Sequence, residues 1–322
     1  MKPNPPCARI TGKVMPKGGN KMKNKSCALL LALVCCAVPA FAAPSVVYVV
    51  FNGSDANPCT RPAPCRTITH ALTVVAAGGV VDIASSGLYD TFTIATTVSV
   101  EADPGVDATI LVPSAGTGIT INAGSSDTVT IKRLSILGTT GNEVGIQGNT
   151  AGSIAIEDCV SRNVHFGASL NSSTTAFKVS GGVFEGSDTS LIIRAGSNQV
   201  SIDGVKINET GSNAAVDAVG TNIRVTHSLL AGDGAGGFTP GVWVKGGQTV
   251  VLEDDVISGY APGVEVGGGL GGNGTVFLSN NTITNNSTGV AVGTGTAFTR
   301  SNNTIVANTT NVSGSLTPFA GR

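Results

Sequence analysis

Side chains able to do chemistry are sparse in this 322-residue chain, which has three His, one Trp and only 12% charged residues. Two groups of them have types that suit a reaction or a binding event. The first is Trp243 and Lys245 in the run Val242-Trp243-Val244-Lys245, with Asp217 and Glu265. If the two valines point inward, Trp243 and Lys245 point outward. The apolar face of an outward Trp can stack on a sugar ring, and neighbouring carboxylates can accept hydrogen bonds from sugar hydroxyls. The same residues admit a lyase reading, in which Lys245 abstracts the proton α to a uronate carboxyl and the acids hold Ca²⁺. The plainer alternatives are an ordinary solvent-facing patch, or a Trp243 covered by the loop 232–239. The second group is His227, Glu253, Asp254 and Asp255, with Asn280 following. Carboxylates beside a His can supply the general acid and base of glycoside hydrolysis. Polar residues at bends also serve simply to satisfy backbone groups, and Asn280 with Asn302 reads as part of an asparagine ladder.

Residues so far apart along the chain meet only if something stacks them, and the sequence carries a repeat that does so. Ile131, Ile156, Val179, Ile202, Val225, Leu252, Leu278 and Arg300 recur every 22 to 27 residues. Two residues before them stand Val129, Ile154, Phe177, Val200, Ile223, Val250, Val276 and Phe298, the inward positions of period-two strands. Each anchor is followed by a polar residue. Five residues on come Ile136, Ser161, Phe184, Ile207, Leu230, Ile257, Ile283 and Ile305, a second strand in which only Ser161 breaks the apolar column and Val160 could take its place. A third strand reads from Leu191-Ile192-Ile193, Val242-Trp243-Val244, Val264-Glu265-Val266 and Val290-Ala291-Val292.

Three short strands per coil, stacked at about 4.8 Å, make a parallel β-helix. The expected fold is therefore an all-β, right-handed parallel β-helix solenoid of about nine or ten coils. Residues 127–322 form the regular coils. Residues 44–126 form an N-terminal cap and first irregular coils, with strands at 46–51, 79–83, 97–101, 108–111 and 118–121. The spacing of Ile68, Ala71, Leu72 and Val75 predicts a short capping helix over residues 67–76, which would close an otherwise exposed end. Asn311 to Arg322 would fold over the last coil or fray, and the 44 glycines suit tight corners.

Residues 1–43 read as a secretory signal region: Lys23 and Lys25, the apolar run 28–38 and the small-residue site Ala40-Phe41-Ala42, with Met22 as a natural start. The run is too short to span a membrane. That places the remainder outside the cytoplasm, secreted or periplasmic. Seven of the 19 Lys/Arg and none of the 20 Asp/Glu lie in this region, leaving 12 basic against 20 acidic residues. An acidic remainder without a basic patch argues against nucleic acid as partner. Cys59 and Cys65 are expected to pair in an oxidising compartment. No second Cys/His pair of zinc-site spacing is present, so no metal is expected there. Cys159 reads as a small core side chain.

The segment Tyr48-Val49-Val50-Phe51-Asn52-Gly53-Ser54-Asp55-Ala56-Asn57-Pro58, with Pro64-Cys65-Arg66-Thr67-Ile68 and Ala71-Leu72, resembles the N-terminal signature of secreted bacterial pectin-lyase-like β-helix proteins. Ser279-Asn280-Asn281-Thr282-Ile283, Ser301-Asn302-Asn303-Thr304-Ile305 and Thr288-Gly289-Val290 are similar to carbohydrate-binding and sugar-hydrolase β-helix repeats. The resemblance implies carbohydrate without fixing a chemistry, because that superfamily holds lyases, glycoside hydrolases, epimerases, tailspikes and noncatalytic surface proteins. The polygalacturonase-type Asn-Thr-Asp, Asp pair, Gly-His-Gly and Arg-Ile-Lys set is absent, as is a pectate-lyase cluster of calcium-binding Asp with an Arg base. The expectation is a noncatalytic extracellular protein that binds a polysaccharide or cell-surface glycan through Trp243, Asp217 and Glu265, with no cofactor. A polysaccharide lyase or glycoside hydrolase acting on a uronate polymer, and a structural or adhesive module, are the alternatives. Oligomeric state is not legible.

Overall fold

The computed structural model describes residues 43–320 apart from 171–175, 187, 195–198, 210–213, 220–221, 235–238 and 269–271. The expected signal region, part of the loop expected over Trp243 and the middle of the 267–272 glycine run lie outside the described residues.

Strands rich in Val, Ile and Thr stack into three parallel sheets of 12, 10 and 10 strands, one strand of each sheet per coil, in about ten coils with one further first-sheet strand at each end. Every pairing is between a strand and its equivalents one coil before and after, such as Ile154 with Val129 and Phe177. Inward side chains form one core along the axis: Val129, Ile131, Ile154, Ile156, Ile202, Val225, Val250, Leu252, Val276 and Leu278 are all buried. The repeat extends further towards the N-terminus than the sequence pattern suggests. Val98 and Val100 pair in register with Val129 and Ile131, so residue 126 is no boundary in the stack. Two three-residue strands, Gly87–Tyr89 and Phe92–Ile94, are too short to show a period and join the second and third sheets.

Three local readings change. In the coil that follows Leu278 the first strand is Thr296–Thr299, with Ala297 opposite Val276 and Thr299 opposite Leu278. Phe298 and Arg300 are thus not inward: Phe298 lies outside, stacked on Phe277 at 4.9 Å. Ser161, not Val160, holds the apolar column between Ile136 and Phe184, and its buried hydroxyl has no partner. Residues Thr310–Ser313 and Leu316–Pro318 continue the third and first sheets as a final coil, and Phe319 then packs edge-on against Phe277.

The N-terminal closure is the expected one. A helix, Ile68–Val74, buries Ile68 and Ala71 against the first strands, with Leu72, Val74 and Val75 packed on the core. Thr67 caps it by accepting the His70 N–H, and Asp55 holds Thr67 by accepting from its N–H and hydroxyl. The buried Cys59–Cys65 disulfide lies beside this cap, and Cys159 is buried in the core as a free thiol.

The corner between first and second sheets decides how the polar residues are placed. Arg133, Asp158, Gly181, Gly204, His227, Asp254, Asn280 and Ser301 occupy it in successive coils, all with φ between 51° and 64°. Only two of the eight are glycine, so Asp, Asn and His do here what glycine was expected to do. Immediately inside that corner runs a ladder. Ser228 Oγ accepts the Val205 N–H, Asp255 Oδ1 that of Ser228, Asn281 Oδ1 that of Asp255, and Asn303 Oδ1 that of Asn281, at 2.8 to 3.2 Å. The amides of Asn281 and Asn303 donate back to the Leu252 and Leu278 carbonyls. A second ladder at the next corner runs Tyr260 N–H to Asn286, Asn286 to Asn308 and Asn308 to Asn311. The Asn280–Asn302 contact exists as well, but on the exposed side of the bend.

Asn281→Ala leaves the Asp255 N–H and the Leu252 carbonyl without side-chain partners, and a loss of about 2–3 kcal/mol in unfolding free energy is expected from equilibrium denaturation.

Candidate functional site

Coil stacking does bring the first group together. On the third sheet Trp243 lies opposite Asp217 on one side and Glu265 on the other. Its surroundings differ from those of an open platform. The Lys245 ammonium sits 3.5 Å from the centre of the Trp243 ring and 2.6 Å from Asp217 Oδ1, in an ion pair whose side chains are 17% and 13% exposed. A cation on the ring face is favourable in its own right. It also occupies the surface on which a sugar would stack. Glu265 is buried beneath the backbone of Gly268, where a Cβ would collide with its Oε1, and burial holds its carboxyl above the usual range. Lys245 as a base would first have to leave Asp217.

The second group does not converge. Glu253, Asp254 and Asp255 are consecutive, and the left-handed φ of 61° at Asp254 sends them three ways. Glu253 faces out from the first sheet and pairs with Arg224. Asp254 stays at the corner, accepts from the Asn280 amide and lies 3.7 Å from His227 Nε2. Asp255 turns inward and is the buried rung of the ladder. Burial pushes its carboxyl up to about 7, against the pull of hydrogen bonds from the Ser228 and Glu253 N–H groups. His227 is exposed with Nδ1 2.9 Å from Asp203 Oδ1. That hydrogen bond raises the imidazole, while the Thr226 hydroxyl and then His227 lower Asp203. The arrangement is a bend held by side chains: Asp203 and Asp254 flank His227, while Glu253 and Asp255 face away from it.

The residues that line a long groove on the first sheet were not singled out by the sequence. A groove of about 570 Å³ runs along the outer face of the first sheet across five coils, lined by Ser153, Ala176, Lys178, Ser201, Arg224 and Thr249 among others. Lys178, Ser201 and Arg224 are direct neighbours in register. Lys178 reaches back along the axis to Glu157, and Arg224 reaches forward to Glu253. The two long cations lean apart, and small Ser201 between them leaves the gap. Gln199 and Asn222 add polar groups at one rim, and Ala176 and Val251 add apolar surface.

Glu143 also carries no mark in the sequence, yet it is fully buried between the second and third sheets. Desolvation pushes its carboxyl up, but the hydroxyls and N–H groups of Thr140 and Thr139 outweigh it and bring it to about 2. With the Asn142 N–H as a fifth donor, Glu143 knots a tight loop.

The family model described as "Right handed beta helix region" matches residues 189–316. Among solved structures the chain is similar to pectate lyase Pel9A, with a TM-score of 0.53 and 15% identity over 84% of this chain and 78% of that one. It is also similar to GH136 lacto-N-biosidase from Eubacterium ramulus, with a TM-score of 0.47 and 9% identity over 85% of this chain and 67% of that one. No curated protein matches. At these identities the likeness is one of fold: the chain is a right-handed, pectin-lyase-like parallel β-helix.

Two outcomes follow from the polar groups. Asp255 titrates higher in the folded chain than its ordinary 3.8, so the stability tied to its protonated form is complete below about pH 4 and is lost as pH rises towards about 7. Asp255→Asn keeps the ladder oxygen without the charge, and denaturation should show it gaining about 4 kcal/mol on the wild type between roughly pH 4 and pH 8. Lys245→Ala uncovers the ring of the only Trp, so iodide should quench its fluorescence at least about twofold more strongly than in the wild type.

Proposed function

We propose that this protein is a noncatalytic extracellular or periplasmic β-helix that holds an extended glycan chain in the groove on its first sheet. The observation that carries the reading is the open strip above Ser201. It is long enough to take several sugar rings, its walls are apolar, and its rims carry amide, hydroxyl and cationic donors. Sugar rings present apolar faces and hydroxyl edges, and a half-apolar, half-polar trough suits both. Lys178 and Arg224 are already paired with Glu157 and Glu253, so the groove is close to electroneutral and suits neutral or weakly acidic chains.

The absence of catalysis is inferred from the two candidate groups. Lys245 is engaged with Asp217 and Trp243, Glu265 lies under Gly268, and the three consecutive acids face different ways. Trp243 then serves to seat the Lys245–Asp217 pair, not to receive sugar. The solved lyase of the same fold makes cleavage the reading to exclude.

The test incubates the protein with neutral and uronate polysaccharides, with and without Ca²⁺, and records retention together with new chain ends. Binding without new ends is expected, weakened at least about tenfold by Ser201→Trp, which fills the trough, and unaffected by Trp243→Phe. Release of chain ends that Lys245→Ala abolishes would overturn the proposal in favour of a lyase.

A further inference from the structure

The outer face of the second sheet is built differently from the other two. Among the described residues eight large apolar side chains are exposed, and five of them, Leu88, Leu111, Leu137, Leu229 and Val256, lie on strands of this one sheet. Two outward columns run along it. One contains Leu88, Thr109, Ser135, Val160, Val183, Lys206, Leu229 and Val256. The other contains Leu111, Leu137, Arg162, Glu185, Asn208 and Ala231. At the middle of these eight coils Arg162 and Glu185 stand on adjacent strands, half exposed and paired with each other. An apolar patch lies on either side: Leu88, Leu111 and Leu137 before, Leu229 and Val256 after.

That order is self-complementary. A two-fold axis lying in the face, parallel to the strands and passing between the Arg162 and Glu185 strands, keeps each column and reverses the order of the coils. It sets Arg162 against the Glu185 of a second copy and Glu185 against its Arg162. It sets Val160 against Val183, Leu88 against Val256 and Leu111 against Ala231, with the mixed pairs Leu229 against Thr109, Leu137 against Asn208 and Lys206 against Ser135. Like charges never meet. From these placements we infer that the second-sheet face is an isologous interface and that its partner is a second copy of this chain.

The reach supports a modest dimer. Eight strands at about 4.8 Å span about 34 Å. With side chains the strip buries on the order of 1,000 Å² over the two copies, the lower edge of specific interfaces. Association is therefore expected at micromolar concentrations. The groove over Ser201 is on another face, so both copies keep theirs open. An anionic surface as partner would require a strong excess of cations, whereas here Glu185 offsets Arg162 and Lys206 alone is left over. An unrelated protein would have no reason to match a central Arg162–Glu185 pair beside Val160 and Val183 with apolar ends at Leu88 and Val256.

The test is sedimentation velocity on the whole protein over a wide concentration range. The wild type should move between monomer and dimer. Arg162→Glu sets a carboxylate against Glu185 in both contacts, and Glu185→Arg sets a guanidinium against Arg162, so each variant alone should associate at least about tenfold more weakly. Mixed together, the two should form a one-to-one heterodimer, because every contact between the two chains again pairs opposite signs. Leu111→Asp with Leu229→Asp, both at exposed positions and with an unchanged circular dichroism spectrum, should be monomeric. A wild type that stays monomeric at several hundred micromolar, single variants that associate like the wild type, or a mixture that fails to pair would each overturn the inference.

Discussion

Everything in this molecule depends on the backbone hydrogen bond between one coil and the next. Parallel strands settle their own polar groups against the coils before and after, and that arrangement fixes the vertical spacing at which every other feature repeats. The bends have no ladder of their own. Their N–H and carbonyl groups must find partners in a nearly dry interior, and the cost of leaving them unpaired exceeds what any single apolar contact supplies. The Ser228–Asp255–Asn281–Asn303 column answers that demand. It also explains why an aspartate is tolerated at 1% exposure: Asp255 occupies a rung whose geometry asks only for an oxygen.

Because each repeat position becomes a column, the three outer faces can be written almost independently of the core. The first sheet carries cations and acids interleaved along the axis, and their pairing leaves the trough above Ser201. The second carries aliphatic residues about a central ion pair. The third carries a mixed column that is largely covered: Ser169, Ile192 and Glu265 point outward and are nonetheless buried. One scaffold thus presents three chemistries, and none of them disturbs the inward Val, Ile and Leu.

The core was legible because burial acts on residue type at every repeat. Ile131, Ile156, Val179, Ile202, Val225, Leu252 and Leu278 all stand where the period puts them. Where the period loosens, the reading slips. Arg300 fails as an anchor because Thr299, one residue earlier, is the residue opposite Leu278, and Ser161 is tolerated because Ile136 and Phe184 fill the column around it. The opposition of Trp243, Asp217 and Glu265 also follows from coil alignment alone. What Lys245 does to that ring does not, since it depends on which rotamer brings the ammonium to Asp217. The groove was invisible for the same reason: Lys178, Ser201 and Arg224 are ordinary in type, and only the directions in which Glu157 and Glu253 draw the cations open it. Glu143 left no trace in the pattern because its partners are mostly backbone groups within a few residues of it.

The ladders have a direction. Each rung's oxygen serves the N–H of the coil before it, never the coil after, so a coil is complete only once its successor has docked. A chain that folds from its N-terminal cap onward therefore carries unfinished bends at its advancing front, and each added coil heals the previous one while opening its own. The second ladder shows how such a sequence can stop: Asn308 gives its N–H to Asn311, three residues on and within the same turn. At that bend a local contact does what a neighbouring coil does at the others, so the backbone there is satisfied without a further coil stacked on it.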